Sequence, residues 1–133
     1  LDSTTGNEPA GVPDPGIGAA GCEVAVTWHH DVVVLGVSGT LDMVTAPQLT
    51  GSIHNSLKNE PSAVIVDLTR VGFLASAGMT VLITAHEQIG ESAQFAVVAD
   101  GPAVARPMQL VGLDKLLTVH TTLDAALEAS SPK

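Results

Sequence analysis

Ala63 to Ile89 reads AVIVDLTRVGFLASAGMTVLITAHEQI, a strand that gives way to a helix. Its first four residues, Ala63-Val64-Ile65-Val66, are apolar and are closed by Asp67. A short, largely β-branched run bounded by polar residues predicts a strand buried on both faces. Leu68 to Gly72 is expected to be a short turn. From Met79 the apolar residues fall at helical spacing, as Met79, Leu82 and Ile83, followed by His86, with a second row at Val81, Ala85 and Ile89. Apolar residues on most sides of a helix predict deep packing against a sheet. Ser76 lies where the chain passes from strand and loop into that helix.

Two uses of a serine in that place follow from elementary chemistry. The first turn of a helix leaves backbone N–H groups without partners, and a serine oxygen accepts from one of them, a cap worth about 1 kcal/mol. The same geometry suits modification. A phosphate at a helix start is favoured by the helix dipole, and phosphorylation adds about −1.5 to −2 charges. Ser76 can then carry a phosphoryl group without unfolding its own domain, so that the effect is felt by a partner. The sequence leaves both uses open.

The pattern Asp67-Leu68-Thr69-x-Val71-x-Phe73-Leu74-x-Ser76-x-Gly78-Met79 resembles the central signature of STAS domains, the bacterial anti-sigma factor antagonists and their relatives. Upstream, Gly39-x-Leu41-Asp42-x-x-Thr45-Ala46 is similar to the segment that precedes the first helix of that family. The resemblance spans about Cys22 to Ser130. It implies a single α/β STAS-like domain and a protein-interaction switch rather than an enzyme. It also implies that Ser76 is phosphorylated by a cognate anti-sigma factor that is itself a serine kinase. The unmodified surface, made of Ser76, its flanking Ala75 and Ala77, and Gly78, Met79 and Leu82, would dock on that factor and free a sigma factor for transcription. Asp42, Thr45 and Asp67 would contribute to the same contact from neighbouring loops. The chain departs from the family at Ala75, where antagonists often carry aspartate, and at Ala77, often another serine. The alternative is a STAS module without a phosphoswitch, serving a sensory scaffold or a lipid or anion transport system.

Composition narrows the partners. The 133 residues suffice for one domain that buries roughly two thirds of its unfolded surface. With 45% hydrophobic residues and only 2% aromatic, the core must be built from Val, Leu, Ile and Ala, which suits a sheet covered by helices. The net charge is −9, and Lys58, Arg70, Arg106, Lys115 and Lys133 are the only basic residues besides histidine. That excludes the basic footprint of a nucleic-acid binder and opposes an anionic membrane surface. No apolar run reaches the length of a membrane span and no secretory signal is visible, so a cytoplasmic protein without membrane insertion is expected. Cys22 is the single cysteine, which fits a reducing compartment. A monomer or weak dimer is expected.

Outward from the central stretch, residues 1–21 are rich in Gly, Pro and polar side chains and predict a flexible tail. Residues 22–130 form the expected domain and 131–133 a fraying end. Glu23 to Trp28 and Val32 to Ser38 predict an antiparallel hairpin through His29-His30-Asp31. Thr45 is a candidate N-cap, Pro47 suits a first turn, and Leu49, Ile53 and Leu57 form a helical stripe. Gly90 is a candidate C-cap. Phe95 to Ala99 predicts a strand. A helix carrying Val104, Met108 and Val111 and ended by Gly112 follows, then a strand at Leu116 to Val119. A final helix is capped by Thr121 or Thr122, with Leu123, Ala126 and Leu127 inward. The order is ββαβαβαβα, with a mostly parallel sheet and one antiparallel edge strand.

Other chemistries find little support. The five histidines are scattered, and neither HExxH, CxxC, GxGxxG nor a Walker-type loop occurs, so no metal and no cofactor is expected. Ser76, Asp100 and His120 follow the chain order of an α/β-hydrolase triad, but the elbow glycine two places before the serine is replaced by Leu74. Cys22, beside the tail, is a candidate for redox control.

Overall fold

The computed structural model describes residues 22–130, and the tail expected at 1–21 and the end expected at 131–133 lie outside the described residues. β1 (Cys22–His29) and β2 (Val32–Leu41) form the expected hairpin, closed by His30 and Asp31 with His30 at φ 60. α1 (Ala46–Leu57), β3 (Ala63–Leu74), α2 (Ser76–Ile89) and β4 (Gln94–Val98) follow. The chain then forms α3 (Ala105–Leu110), α4 (Leu113–Leu116), β5 (Thr118–His120) and α5 (Leu123–Ser130).

The sheet runs β1-β2-β3-β4-β5, and every pair but the first is parallel. Parallel neighbours joined in sequence order by right-handed crossovers must place all their connecting helices on one face. The core shows this. Val33, Leu35, Val37, Val64, Val66, Leu68 and Val97 point to one side, where they meet Leu49 and Ile53 of α1, Leu82, Ala85 and Ile89 of α2, and Met108 of α3. Alternate residues, Val32, Val34, Ala63, Ile65, Ala96 and Val98, point to the other side and meet Ala126 of α5. Among the described residues the second face is thus covered by one short helix, which leaves the sheet open toward β1.

The structure corrects two local expectations. Leu68 to Gly72 is not a turn but the continuation of β3, paired with β2 as far as Leu41↔Leu74. Two register shifts, between Gly36 and Ser38 and between Gly39 and Thr40, give β3 extra residues. Its buried side chains Leu68, Val71 and Leu74 therefore recur every three positions, a spacing that hides a strand's period of two. The helix expected after Asp100 ends before Gly112, where φ is +81, as expected, but Val111 points outward, 61% exposed, and a further helix, α4, follows at once. Leu116 accordingly ends a helix rather than starting a strand. The caps at Gly90, whose N–H donates to the His86 carbonyl at 3.0 Å, and at Thr122, whose Oγ1 accepts from Ala125 N at 3.1 Å, are as expected.

Candidate functional site

In open α/β sheets, sites gather at the carboxyl ends of the strands. Here the ends of the adjacent strands β2 and β3 bring together the loop 42–45 and the start of α2. Ala75 N donates to the Leu41 carbonyl at 2.9 Å, which ties the two loops to one another. Gly78 draws them closer still. A Cβ there would lie 2.8 Å from Leu41 Cγ, 2.8 Å from Leu74 Cδ1 and 3.0 Å from the Leu41 carbonyl oxygen. Only a glycine lets the first turn of α2 rest on the end of β2. Gly78→Ala is expected to lower stability by about 1–3 kcal/mol, as overpacking does, and thermal unfolding measures it directly.

Asp42 and Thr45 lock the first loop. Asp42 Oδ1 accepts from Val44 N at 3.0 Å and Thr45 N at 3.1 Å, while Thr45 Oγ1 accepts from Asp42 N at 2.9 Å and donates to the Thr40 carbonyl at 2.7 Å. The Thr45 backbone N–H foremost, with help from its hydroxyl and Val44 N–H, holds the Asp42 carboxyl below the usual carboxylate range. Thr45 occupies the N-cap position of α1, but its hydroxyl turns back into the loop instead of capping the helix. It is buried, so it shapes the loop and offers a partner nothing.

Ser76 is exposed and is the first residue of α2. The N-cap position belongs to Ala75, extended at φ −93 and ψ 172, and no side chain caps the helix. The expected capping role of Ser76 is therefore corrected: its side chain makes no hydrogen bond among the described residues. Because Ala75 already has cap geometry, Ala75→Asp supplies the missing acceptor and is expected to raise stability by about 0.5–2 kcal/mol in chemical denaturation.

Of the other expected contact residues, Ala77 and Met79 are half-buried beside Ser76. Gly78 and Leu82 are buried, Leu82 with no exposed surface at all, and belong to the core. A partner cannot touch Leu82 without opening the domain, because α2 turns that face to the sheet. Asp67 stands apart from this group. Val66 and Leu68 face the helices, so Asp67 faces the open side of the sheet. It lies seven residues before Leu74, roughly 20 Å along a strand. There it accepts from Thr69 N at 3.0 Å and Thr69 Oγ1 at 2.8 Å and lines a groove of about 320 Å³ with Glu23, Thr27, Ser38 and Arg70.

Sequence reasoning missed three exposed apolar side chains on the same end. Met43 is 77% exposed, Val44 83% and Phe73 56%. The first two sit in the Asp42 loop, and Phe73 pairs with Thr40. The available signal was an apolar Met-Val pair in a loop that no helical or strand period claims. Across residues 40–45 and 73–80, Asp42 is the only ionisable side chain, so this end is apolar and nearly uncharged on a chain of net charge −9.

The other candidates do not assemble. Among the described residues His120 Nε2 is buried without a hydrogen-bond partner, so it bonds to neither Ser76 nor Asp100. Among the described residues no three His, Cys, Asp or Glu side chains gather as metal ligands, and no helix is long and apolar enough to cross a membrane. Cys22 is buried, donates from Sγ to Gln48 Oε1 at 3.7 Å, and its thiol is pushed up chiefly by burial, which makes it a poor nucleophile.

Comparison with known proteins places this geometry. The model of the STAS domain matches residues 23–126. The anti-sigma-F factor antagonist RsfB of Mycobacterium tuberculosis is 40% identical over 104 residues, 78% of this chain and 85% of that protein. The crystal structure of an anti-sigma factor antagonist from Mycobacterium paratuberculosis superposes with a TM-score of 0.79 at 43% identity, covering 82% of this chain and 93% of the other. The Bacillus cell fate determinant SpoIIAA in its phosphorylated form gives a TM-score of 0.63 over 82% of this chain and 100% of the other. At 16% identity that likeness shows the fold alone.

Proposed function

The chain belongs to the STAS domain family, and from that premise we propose that it is an anti-sigma factor antagonist whose Ser76-bearing end binds a kinase-type anti-sigma factor in the cytoplasm. Binding releases a sigma factor, and phosphorylation of Ser76 ends it. The relatives of known role at 40% and 43% identity are anti-sigma factor antagonists, regulatory proteins.

The observation that carries the switch is the state of Ser76. Its hydroxyl is exposed on the first turn of α2, no structural hydrogen bond holds it, and Met43, Val44 and Phe73 surround that end with exposed apolar surface. A serine released from capping is open to a kinase, and an apolar rim gives a partner something to desolvate. In the transfer, Ser76 Oγ takes the γ-phosphoryl group of ATP, loses its proton, and ADP leaves. The added charge then sits in an interface that holds no cation of this chain, where repulsion and desolvation weaken binding.

Incubation with the kinase-type anti-sigma factor and ATP, followed by peptide mass spectrometry, tests this. One phosphate on the peptide containing Ser76, absent from Ser76→Ala, is expected. Phosphate on another residue, or none with binding intact, overturns the switch and favours the interaction module without one, which is also what Ala75 in place of aspartate would suit.

A further inference from the structure

β1 ends the sheet and pairs only with β2, so its outer edge presents a row of backbone N–H and C=O groups with no strand partner among the described residues. Natural edge strands are guarded by lysine, proline, a bulge or shortness, because an open edge is a template for another strand. β1 has none of these. It is eight residues long, CEVAVTWH, and keeps register with β2 over its whole length. Two large apolar residues on its helix-side face stay in water, Val26 at 49% and Trp28 at 38% exposure.

We propose that the partner for this edge is a second copy of the same chain, with β1 paired antiparallel to β1 in one continuous ten-stranded sheet. A two-fold axis relating antiparallel neighbours stands normal to the sheet, so it must pass between two identical, directly opposed residues. Placing Val26 on the axis sets Val26 against Val26 of the second copy, Ala25 against Thr27, Val24 against Trp28, and Glu23 against His29. Cross-strand pairs of an aromatic with a β-branched residue are among those that stabilise sheets, and the two-fold axis makes the Val24–Trp28 pair twice. Moving the axis to Ala25 sets Trp28 against Cys22 instead of a β-branched residue, and moving it to Thr27 leaves Cys22, Glu23 and Val24 without an opposite. Side-chain packing and paired length thus select one register, and they do so from residues that the Ser76 face does not use.

The axis keeps the helices of both copies on one side of the sheet and turns the two Ser76 ends in opposite directions. Pairing therefore leaves both ends open, and the dimer is bivalent.

Sedimentation equilibrium of the full chain over a dilution series should show a reversible monomer–dimer equilibrium. Val26→Lys brings two ammonium groups together on the axis and is expected to weaken dimerisation more than about tenfold, since like charges directly opposite destabilise. Its thermal unfolding serves as the control for folding. Register is read separately by disulfide trapping in a Cys22→Ser background. Val26→Cys should cross-link readily, because opposed Cα atoms lie about 4.5–5.5 Å apart, within disulfide reach. Trp28→Cys should not, because its twin lies four positions away, about 13 Å along the strand. A wild type that stays monomeric throughout the series overturns the proposal. So does cross-linking at Val26→Cys that is no faster than at Trp28→Cys.

Discussion

Ser76→Glu loses binding to the kinase-type anti-sigma factor by a hundredfold or more, while Ser76→Ala binds like the unmodified protein; titration calorimetry of the three proteins measures both. The magnitude follows from where the charge arrives. The end around Ser76 presents Met43, Val44 and Phe73, each more than half exposed, and carries Asp42 as its one ionisable side chain. A carboxylate placed there must shed water against apolar neighbours and meets no cation of its own chain. Leaving a charge buried and unpaired in an interface costs about 2–5 kcal/mol, and each 1.4 kcal/mol is about tenfold in affinity. The native fold barely registers the change. The Ser76 hydroxyl makes no hydrogen bond that a substitution would break, and a carboxylate in the first turn of a helix is favoured by about 0.3–1 kcal/mol. An unchanged or slightly raised melting temperature beside a lost affinity separates the switch from simple unfolding.

Leu82→Ala behaves in the opposite way. Leu82 has no exposed surface and packs in the core that α1, α2 and the sheet share. Removing a fully buried leucine side chain leaves a cavity and costs about 3–5 kcal/mol. In a domain of this size each kcal/mol moves the melting temperature by about 4–8 °C, so a fall of more than about 10 °C is expected. The folded fraction should still bind the anti-sigma factor at low temperature with close to normal affinity, because Leu82 cannot reach a partner. A normal melting temperature with lost binding would mean that α2 turns a different face outward.

That contrast marks where the sequence was legible. The apolar run Ala63 to Val66 announces a strand with both faces buried, and Leu49 and Ile53 give the inner stripe of α1, because these are local patterns with fixed periods. Leu82 and Gly78 carry the right helical spacing, but spacing does not say which face of α2 meets the sheet. The stretch Leu68 to Leu74 hides its strand character because bulges against β2 stretch the inward spacing from two to three. Ser76 reads as a cap, yet the hydrogen bond from Ala75 N to the Leu41 carbonyl sets the helix start one residue earlier, and Leu41 is distant in sequence. Asp67 belongs to the family signature, but alternation with Val66 and Leu68 already sends it to the face away from Ser76. The exposed Met43, Val44 and Phe73 show only when β2 and β3 are placed side by side.

Hydrogen exchange of the complex with the anti-sigma factor, compared with the free protein, tests the docking face most directly. Slowed exchange concentrated in the loop 42–45 and in 73–80, and absent when Ser76 carries a phosphate, is the expected result. Slowed exchange confined to β1, α5 or the open face of the sheet, with the Ser76 end unchanged, would contradict it.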